Sequence, residues 1–307
     1  MEIDTRFPTK LNSLSEVPEP FRAALVESFP SGEPARLLLY APAFPTEDEK
    51  SSATVLAVTN TGWLVALPTE DAGVALEKSD FSDTLFLELT PVLLECRLRI
   101  LFAAEDAPRS VAISFETVGE DLYRQAIDLI LAGIDPKLTA AAEQNRRDEA
   151  LMLEGWPLKI RNEARRFWPG GQRLVDAIQW PAVFDASQRQ LAPACALLIT
   201  ERELVVISDE QKSSEEPLAA DELEESFAGI ITFVPRVRLA EFQVNRREQC
   251  AFLALQVKAA HGEEKLEYAF PSGNEAAVSK AMEQMLRPGA SRDPASQAGT
   301  EIRKCQS

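Results

Sequence analysis

The feature that most constrains this chain is a residue pattern that occurs twice. The segment starting at Phe21 reads Phe-Arg-Ala-Ala-Leu-Val-Glu-Ser-Phe-Pro-Ser-Gly, and 139 positions later the chain reads Ile-Arg-Asn-Glu-Ala-Arg-Arg-Phe-Trp-Pro-Gly-Gly. At the same offset, Pro42-Ala43 matches Pro181-Ala182. With 307 residues, the chain is long enough for two domains that each bury a core. We therefore interpret the sequence as a tandem duplication.

Two apolar runs separated by a short turn follow in each copy, now 141 positions apart. They cover residues 53–58 and 63–67 in the first copy and residues 196–199 and 204–207 in the second. Each pair of runs predicts a β-hairpin. In the first copy Asn60-Thr61-Gly62 supplies a glycine for a bulged turn, whereas Glu201-Arg202-Glu203 contains no glycine.

The end of each copy combines a strand pattern, a helix cap and a helix pattern at an offset of 155. Alternating apolar residues at 111–115 and at 266–270 predict half-buried strands. Thr117 precedes Glu120 by three residues and Ser272 precedes Glu275 by three, which predicts a capping box in each copy. Apolar stripes at 123–131 and 278–286, with helical spacing, predict a C-terminal amphipathic helix in each copy.

Two further strands fit between these landmarks in each copy, at 85–90 and 96–102 and at 230–244 and 250–259. We align Cys96 with Cys250 in this region. The expected organisation is an N-terminal arm (1–19), a first unit (20–134), a helical linker (135–157), a second unit (158–286) and a disordered tail (287–307). Residues 1–15 are also expected to be disordered, and the acidic loop 209–226 is expected to be solvated.

Each unit therefore reads as a short helix, about six antiparallel strands and a closing helix, an α+β order. Val17-Pro18, Gly32-Glu33, and the strand 55–58 followed by Thr59, a turn and Trp63-Leu64-Val65 make the chain similar to the bacterial pleckstrin-homology-like (PH-like) family. The second copy keeps Thr200 but has Gly171-Gln172 in place of Gly-Glu. The resemblance implies two tandem PH-like rolls that bind a peptide, protein or lipid headgroup and are not enzymes.

The amino-acid composition makes some classes of binding partner unfavourable. Asp and Glu exceed Lys and Arg by 49 to 32, a net charge of −17, which disfavours nucleic acid and, less strictly, anionic membranes. The sole histidine, His261, is expected in a solvated turn, and Cys96, Cys195 and Cys250 are expected to be buried thiols. No spacing of Cys or His suits a metal, no catalytic constellation or cofactor motif is present, and we expect a cytoplasmic protein.

The candidate partner-binding residues all lie in the second unit, which is the less acidic of the two: Trp168, Trp180, Arg161, Arg165, Arg236 and Arg238. The arginines suit an acidic peptide or a phosphate, although solvated or salt-bridged roles also fit them. The tryptophans suit an interface or the core. Arg236 and Arg238 are expected to share a strand face, and their replacement by glutamate is expected to weaken binding of a partner without unfolding the domain.

The sequence therefore predicts a non-catalytic cytoplasmic protein that docks a protein partner through PH-like units, without identifying that partner. The alternative is a peripheral binder of anionic lipid or of a phosphorylated small molecule through the second unit. The oligomeric state is open, because an exposed strand edge can pair between chains or be satisfied within one chain.

Overall fold

The structure of the protein is a computed structural model that describes residues 6–29, 34–46, 51–71, 73–92, 94–105, 107–136, 152–168, 172–187, 189–209, 229–247 and 250–286. The fold is α+β, with antiparallel sheets and, within these ranges, four α-helices: α1 (Phe21–Ser28), α2 (Glu120–Ile134), α3 (Leu158–Phe167) and α4 (Glu275–Leu286). The predicted linker 135–157 lies largely outside the described residues, as do most of the acidic loop 209–226 and the whole tail 287–307.

The first sheet has the order β1-β2-β3-β4-β5 and is antiparallel throughout. Its helix α1 covers one face through an apolar cluster that includes Phe21, Leu25 and Leu64. Phe21 and Leu25 are buried because they lie four residues apart on one side of the helix. The strands are β1 (Thr9–Lys10), β2 (Leu37–Ala41), β3 (Thr54–Val58), β4 (Gly62–Pro68) and β5 (Val74–Asp80).

A central seven-stranded sheet joins the two halves of the chain in the order β8-β7-β6-β14-β13-β12-β9. The junction is the antiparallel pairing of β6 with β14, in which Leu89 lies opposite Ile231 and Leu87 opposite Phe233. The strands of this sheet are β6 (Thr84–Val92), β7 (Glu95–Phe102), β8 (Arg109–Glu116), β9 (Leu174–Trp180), β12 (Cys195–Thr200), β13 (Glu203–Asp209) and β14 (Gly229–Pro235).

A third sheet, β15-β16-β17, packs with α4 against the other side of the central sheet. It comprises β15 (Leu239–Arg247), β16 (Cys250–Lys258) and β17 (Glu263–Pro271), and a short separate hairpin pairs β10 (Val183–Phe184) with β11 (Gln190–Ala192). The central sheet is therefore buried on both faces along β12, β13 and β14, whereas β7 keeps Arg97 and Arg99 exposed on one face. One face contacts α2, α3 and the first sheet, and the other contacts the third sheet and α4.

The backbone of the first half recurs in the second at the offsets found in the sequence. Arg22 N donates to Pro18 O at the start of α1, and Arg161 N donates to Pro157 O at the start of α3, an offset of 139. The β3–β4 and β12–β13 hairpins agree in register at an offset of 141. The predicted second turn forms without a glycine, because the Thr200 hydroxyl bonds the backbone of Glu203 as Thr59 bonds Gly62.

From β5 to the last helix the offset is 155. The bulge between Thr84 and Phe86 in β6 recurs between Leu239 and Glu241 in β15. Because the offset rises from 141 to 155, the second half has 14 more residues than the first between β13 and β14. This register places Ala251, and not Cys250, at the position of Cys96, so the cysteine alignment was wrong by one residue.

Three further sequence expectations need correction. Residues 6–15 are ordered, because Leu11 is buried and β1 adds to the first sheet. The expected strand 230–244 is two strands, since Pro235 ends β14 and a 3-10 turn, Arg236–Arg238, follows. The capping boxes do not form as expected: the Glu120 carboxylate binds Arg166, and only Glu275 reaches back to a backbone N–H, that of Gly273.

Candidate functional site: the free edge of β5

The edge of β5 that faces away from β4 is unpaired within the described part of the chain. Phe81 N donates to Thr61 O and Thr69 N to Gly73 O, so the odd-numbered residues of β5 hydrogen-bond to β4. The N–H and C=O groups of Leu76 and Lys78 therefore point toward the free edge. Such an edge is a template for an added strand.

The absence of a side chain at Gly62 allows β5 to lie close to β4. A Cβ atom built on Gly62 would lie 2.2 Å from Ser79 O, so a side chain at this position would push the two strands apart. The side chains behind this contact are also fixed. Trp63 is buried, packs edge-on against Phe102 with ring centroids 5.1 Å apart, and donates from Nε1 to the Thr84 hydroxyl at 2.9 Å. The free edge of β5 therefore lies beside a strand whose side chains are packed in the core.

A groove of about 620 Å³ runs along β4 and β5 to the end of β7 and the start of β8. Its charged lining residues are four carboxylates and two cations: Glu77, Asp80, Asp83, Glu105, Lys78 and Arg109. Arg109 bonds Glu77 across the groove at 2.6 Å, with both side chains partly exposed. The groove is thus net acidic, which favours a partner segment that carries basic residues.

The second half closes against the turn between β5 and β6. Arg238 donates from Nε to Thr84 O at 3.0 Å and from a terminal nitrogen to Phe81 O at 2.7 Å. Burial lowers the pKa of the Arg238 guanidinium, which stays charged at neutral pH. His261 lies in a turn as expected, but its Nδ1 is 2.7 Å from Asp83 Oδ1. These contacts fix the turn that ends the groove.

The structure places the two predicted tryptophans differently. Trp180 is fully buried and packs against Phe270 with ring centroids 5.4 Å apart, so it belongs to the core and cannot contact a partner from the surface. Trp168 is partly buried, packs on the neighbouring core, and donates from Nε1 to Gln172 O at 3.0 Å. The interface prediction is therefore wrong for Trp180.

The four predicted arginines do not form one patch with free charges. Arg238 is engaged as described above, and Arg236 donates to Glu201 O at 3.3 Å. These two lie in a 3-10 turn and not on a strand face. Arg161 is half-buried and Arg165 is exposed, both on α3. Arg166, on the same helix, forms a salt bridge, which is the alternative role that also fitted the arginines of this helix.

Arg166 and Glu120 form an ion pair between α3 and α2. Arg166 Nε lies 2.7 Å from Glu120 Oε1, and a terminal nitrogen also contacts Oε2. The Glu120 side chain is 5% exposed and that of Arg166 is 49% exposed. This pair joins the last helix of the first half to the first helix of the second half.

The Glu201 and Glu203 carboxylates are engaged in ion pairs, and the thiols of Cys96, Cys195 and Cys250 are buried. Arg202 binds the fully buried Glu203, and Arg173 binds Glu201 at 2.9 Å, so these two carboxylates do not meet in a cleft. Burial raises the pKa of the Cys96 thiol to about 11 and also raises the pKa values of Cys195 and Cys250. Across the described ranges, no group of three His, Cys, Asp or Glu is placed to hold a metal ion. None of the described helices is both long enough and apolar enough to cross a bilayer.

The sequence patterns did not predict β5: six strands were expected in each half, whereas the two halves share seven, besides β1 in the first half and the β10–β11 hairpin in the second. The signal was the apolar start Val74-Ala75-Leu76 after Gly73, but the charged end of the strand obscured the alternation. Comparison with protein-family models and with curated proteins returned no match.

Proposed function

We propose that the chain is a tandem pair of PH-like rolls that binds, without catalysis, an extended segment of a partner protein by strand addition at the free edge of β5. The observation that carries this proposal is the pairing of β6 with β14. At the common offset of 155, β14 is the counterpart of β5. In the second half this edge holds an added strand, and in the first half the equivalent edge has none among the described residues.

Support for the PH-like assignment comes from the recurring order of elements. Both halves contain, in the same order, a helix, four strands that lie in one sheet, three strands that lie in another sheet, and a final helix. The three later strands are β6–β8 of the central sheet in the first half and β15–β17 of the third sheet in the second. The register is the same in both halves apart from the insertion between β13 and β14. Binding by strand addition is a common mode of peptide recognition, in which the main chain supplies affinity and alternate side chains supply specificity.

The side chains of β5 specify a partner. In the β6–β14 pairing, Leu87, Glu88 and Leu89 lie opposite Phe233, Thr232 and Ile231. The counterparts of those three β14 residues in β5 are Lys78, Glu77 and Leu76. A segment paired with β5 in the same register complements the charges of this trio when it carries an acidic, a basic and an aliphatic residue, in that order.

The proposed binding site lies in the first half of the chain and not, as the sequence suggested, in the second. The arginines that suggested an acidic peptide or a phosphate include Arg236 and Arg238, which bond backbone carbonyls of the chain itself. The groove beside β5 is net acidic. Both observations favour a protein segment with a basic residue over an anionic lipid or a phosphorylated small molecule.

A labelled nonapeptide tests the proposal. Residues 84–92 of this chain, carrying Leu87→Glu and Glu88→Lys, give a segment with the required order. We expect the full chain to bind it, as measured by fluorescence polarisation. Lys78→Pro is expected to weaken binding at least tenfold, because it removes an N–H from the free edge and leaves the β4 ladder intact.

Lys78→Ala is the matched control, because it removes the charge and keeps the N–H. Its expected loss is a few-fold, the scale of one cross-strand side-chain pair. Equal binding by the wild type and Lys78→Pro would contradict the proposal. Sedimentation with vesicles containing anionic lipid, at low salt, tests the alternative: vesicle binding together with failure to bind the peptide would replace the proposal by the lipid function.

A further inference from the structure

The third sheet also ends in an unpaired strand, β15, within the described residues. Ala259 N donates to Gly262 O, so the odd-numbered residues of β16 bond to β17 and the even-numbered residues bond to β15. The β16 residue Ala254 is paired with Gln243. The backbone groups of Phe242 and Val244 therefore point to the free edge of β15.

The two strands with free edges, β15 and β5, are the counterparts of β6 and β14, which pair with each other inside the chain. The offset of 155 relates β15 to β6, since they share length, register and bulge. The same offset relates β5 to β14. One chain thus carries an unfilled copy of each side of its own internal junction.

We propose that β15 of one molecule pairs with β5 of a second copy, in the register of the β6–β14 junction. This proposal rests on the proposed function, since it names one occupant of the β5 edge. The register places Val244 opposite Leu76, Gln243 opposite Glu77, and Phe242 opposite Lys78. These are an aliphatic pair, a hydrogen-bonding pair and a cation–π pair, with no like charges directly opposed.

The association is weaker than the internal junction for a specific reason. The ion pair between Glu120 and Arg166 spans the internal junction. The counterparts of these residues are Glu275, at the start of α4, and Glu27, which is exposed on α1. Two carboxylates would therefore face each other between copies, so pairing is concentration-dependent and is strengthened by salt.

The contact is heterologous, because different surfaces of the two molecules meet. Each added molecule leaves one free β5 and one free β15, so the assembly is an open chain unless it closes into a ring. A variant blocked at only one edge can still use the other. Lys78→Pro removes the N–H that points outward from β5, and Val244→Pro removes the one from β15.

Sedimentation velocity across a concentration series of the full chain tests this proposal. We expect the wild-type weight-average mass to rise with concentration, and Lys78→Pro and Val244→Pro to stay monomeric when measured alone. An equimolar mixture of the two variants should form a dimer and stop there. Glu27→Arg should associate at a roughly tenfold lower concentration, since it replaces a repulsion with the counterpart of the internal ion pair.

A wild-type chain and a Glu27→Arg variant that both remain monomeric at all concentrations would overturn the proposal. So would an association that neither proline affects, because it would use another surface. Binding of the labelled nonapeptide to the same wild-type protein separates the two ideas: if the peptide binds at β5 while the chain stays monomeric, self-pairing alone has failed.

Discussion

Loss of Arg166 is expected to leave the Glu120 carboxylate buried without its cation. Glu120 is 5% exposed and accepts two hydrogen bonds from the Arg166 guanidinium. Breaking a buried pair by removing one partner costs roughly 3–5 kcal/mol. Because Arg166 is half-exposed and partly screened, we expect a loss below that range: Arg166→Met should lower the free energy of unfolding by about 2–3 kcal/mol.

Urea denaturation, followed by tryptophan fluorescence and far-ultraviolet circular dichroism, measures this change. The matched control is Arg165→Met on the same helix, where an exposed arginine should matter by no more than about 0.5 kcal/mol. Arg166→Met combined with Glu120→Gln should recover most of the loss, because the second substitution removes the unpaired charge. If Arg166→Met destabilises the protein no more than Arg165→Met does, the ion pair does not stabilise the contact between α2 and α3.

Two other substitutions test the contacts of the second half. Arg238→Met should lower the free energy of unfolding by about 2–3 kcal/mol, because it removes two charge-assisted hydrogen bonds to Phe81 O and Thr84 O. Urea titration measures this change, with Arg236→Met as the control. An effect of Arg238→Met no larger than that of Arg236→Met would contradict the prediction. Burial raises the pKa of Glu203 above the ordinary value of 4.5, so the folded protein holds this proton to higher pH than the unfolded chain does. This carboxyl therefore makes the free energy of unfolding fall as pH rises above about 4.5. Urea titrations across pH 4.5–7 measure the slope of that free energy against pH, and Glu203→Gln should make the slope less negative. An unchanged slope would contradict the burial of this charge.

Local patterns predicted much of the fold. The offsets of 139 and 141 were readable because helix ends and hairpins depend on neighbouring residues. The buried stripe of α2, which includes Tyr123, Ile127 and Ile130, follows from helical spacing alone. The insertion between β13 and β14 obscured the offset of 155 at β5 and β14, because the intervening sequence has no counterpart in the first half.

The joining of the two halves could not be read from local patterns. Pairing of β6 with β14 links residues far apart in the chain, and hydrophobic alternation gives no sign of which strand edges meet. A partial signal was present in residues 85–87 and 230–234, which are nearly continuous apolar runs typical of a strand buried on both faces. Arg238 was misjudged for a related reason, since its two acceptors are backbone carbonyls contributed by the first half.

Residue-resolved amide hydrogen exchange on the full chain tests most directly whether the β5 edge accepts an added strand. In dilute protein alone, the amides of Leu76 and Lys78 should exchange much faster than those of their counterparts Ile231 and Phe233, which lie opposite β6. Saturation with the nonapeptide should slow exchange at Leu76 and Lys78 and leave the β4-bonded amide of Glu77 largely unchanged. Exchange at Leu76 and Lys78 that the bound peptide leaves unaltered would contradict strand addition at this edge.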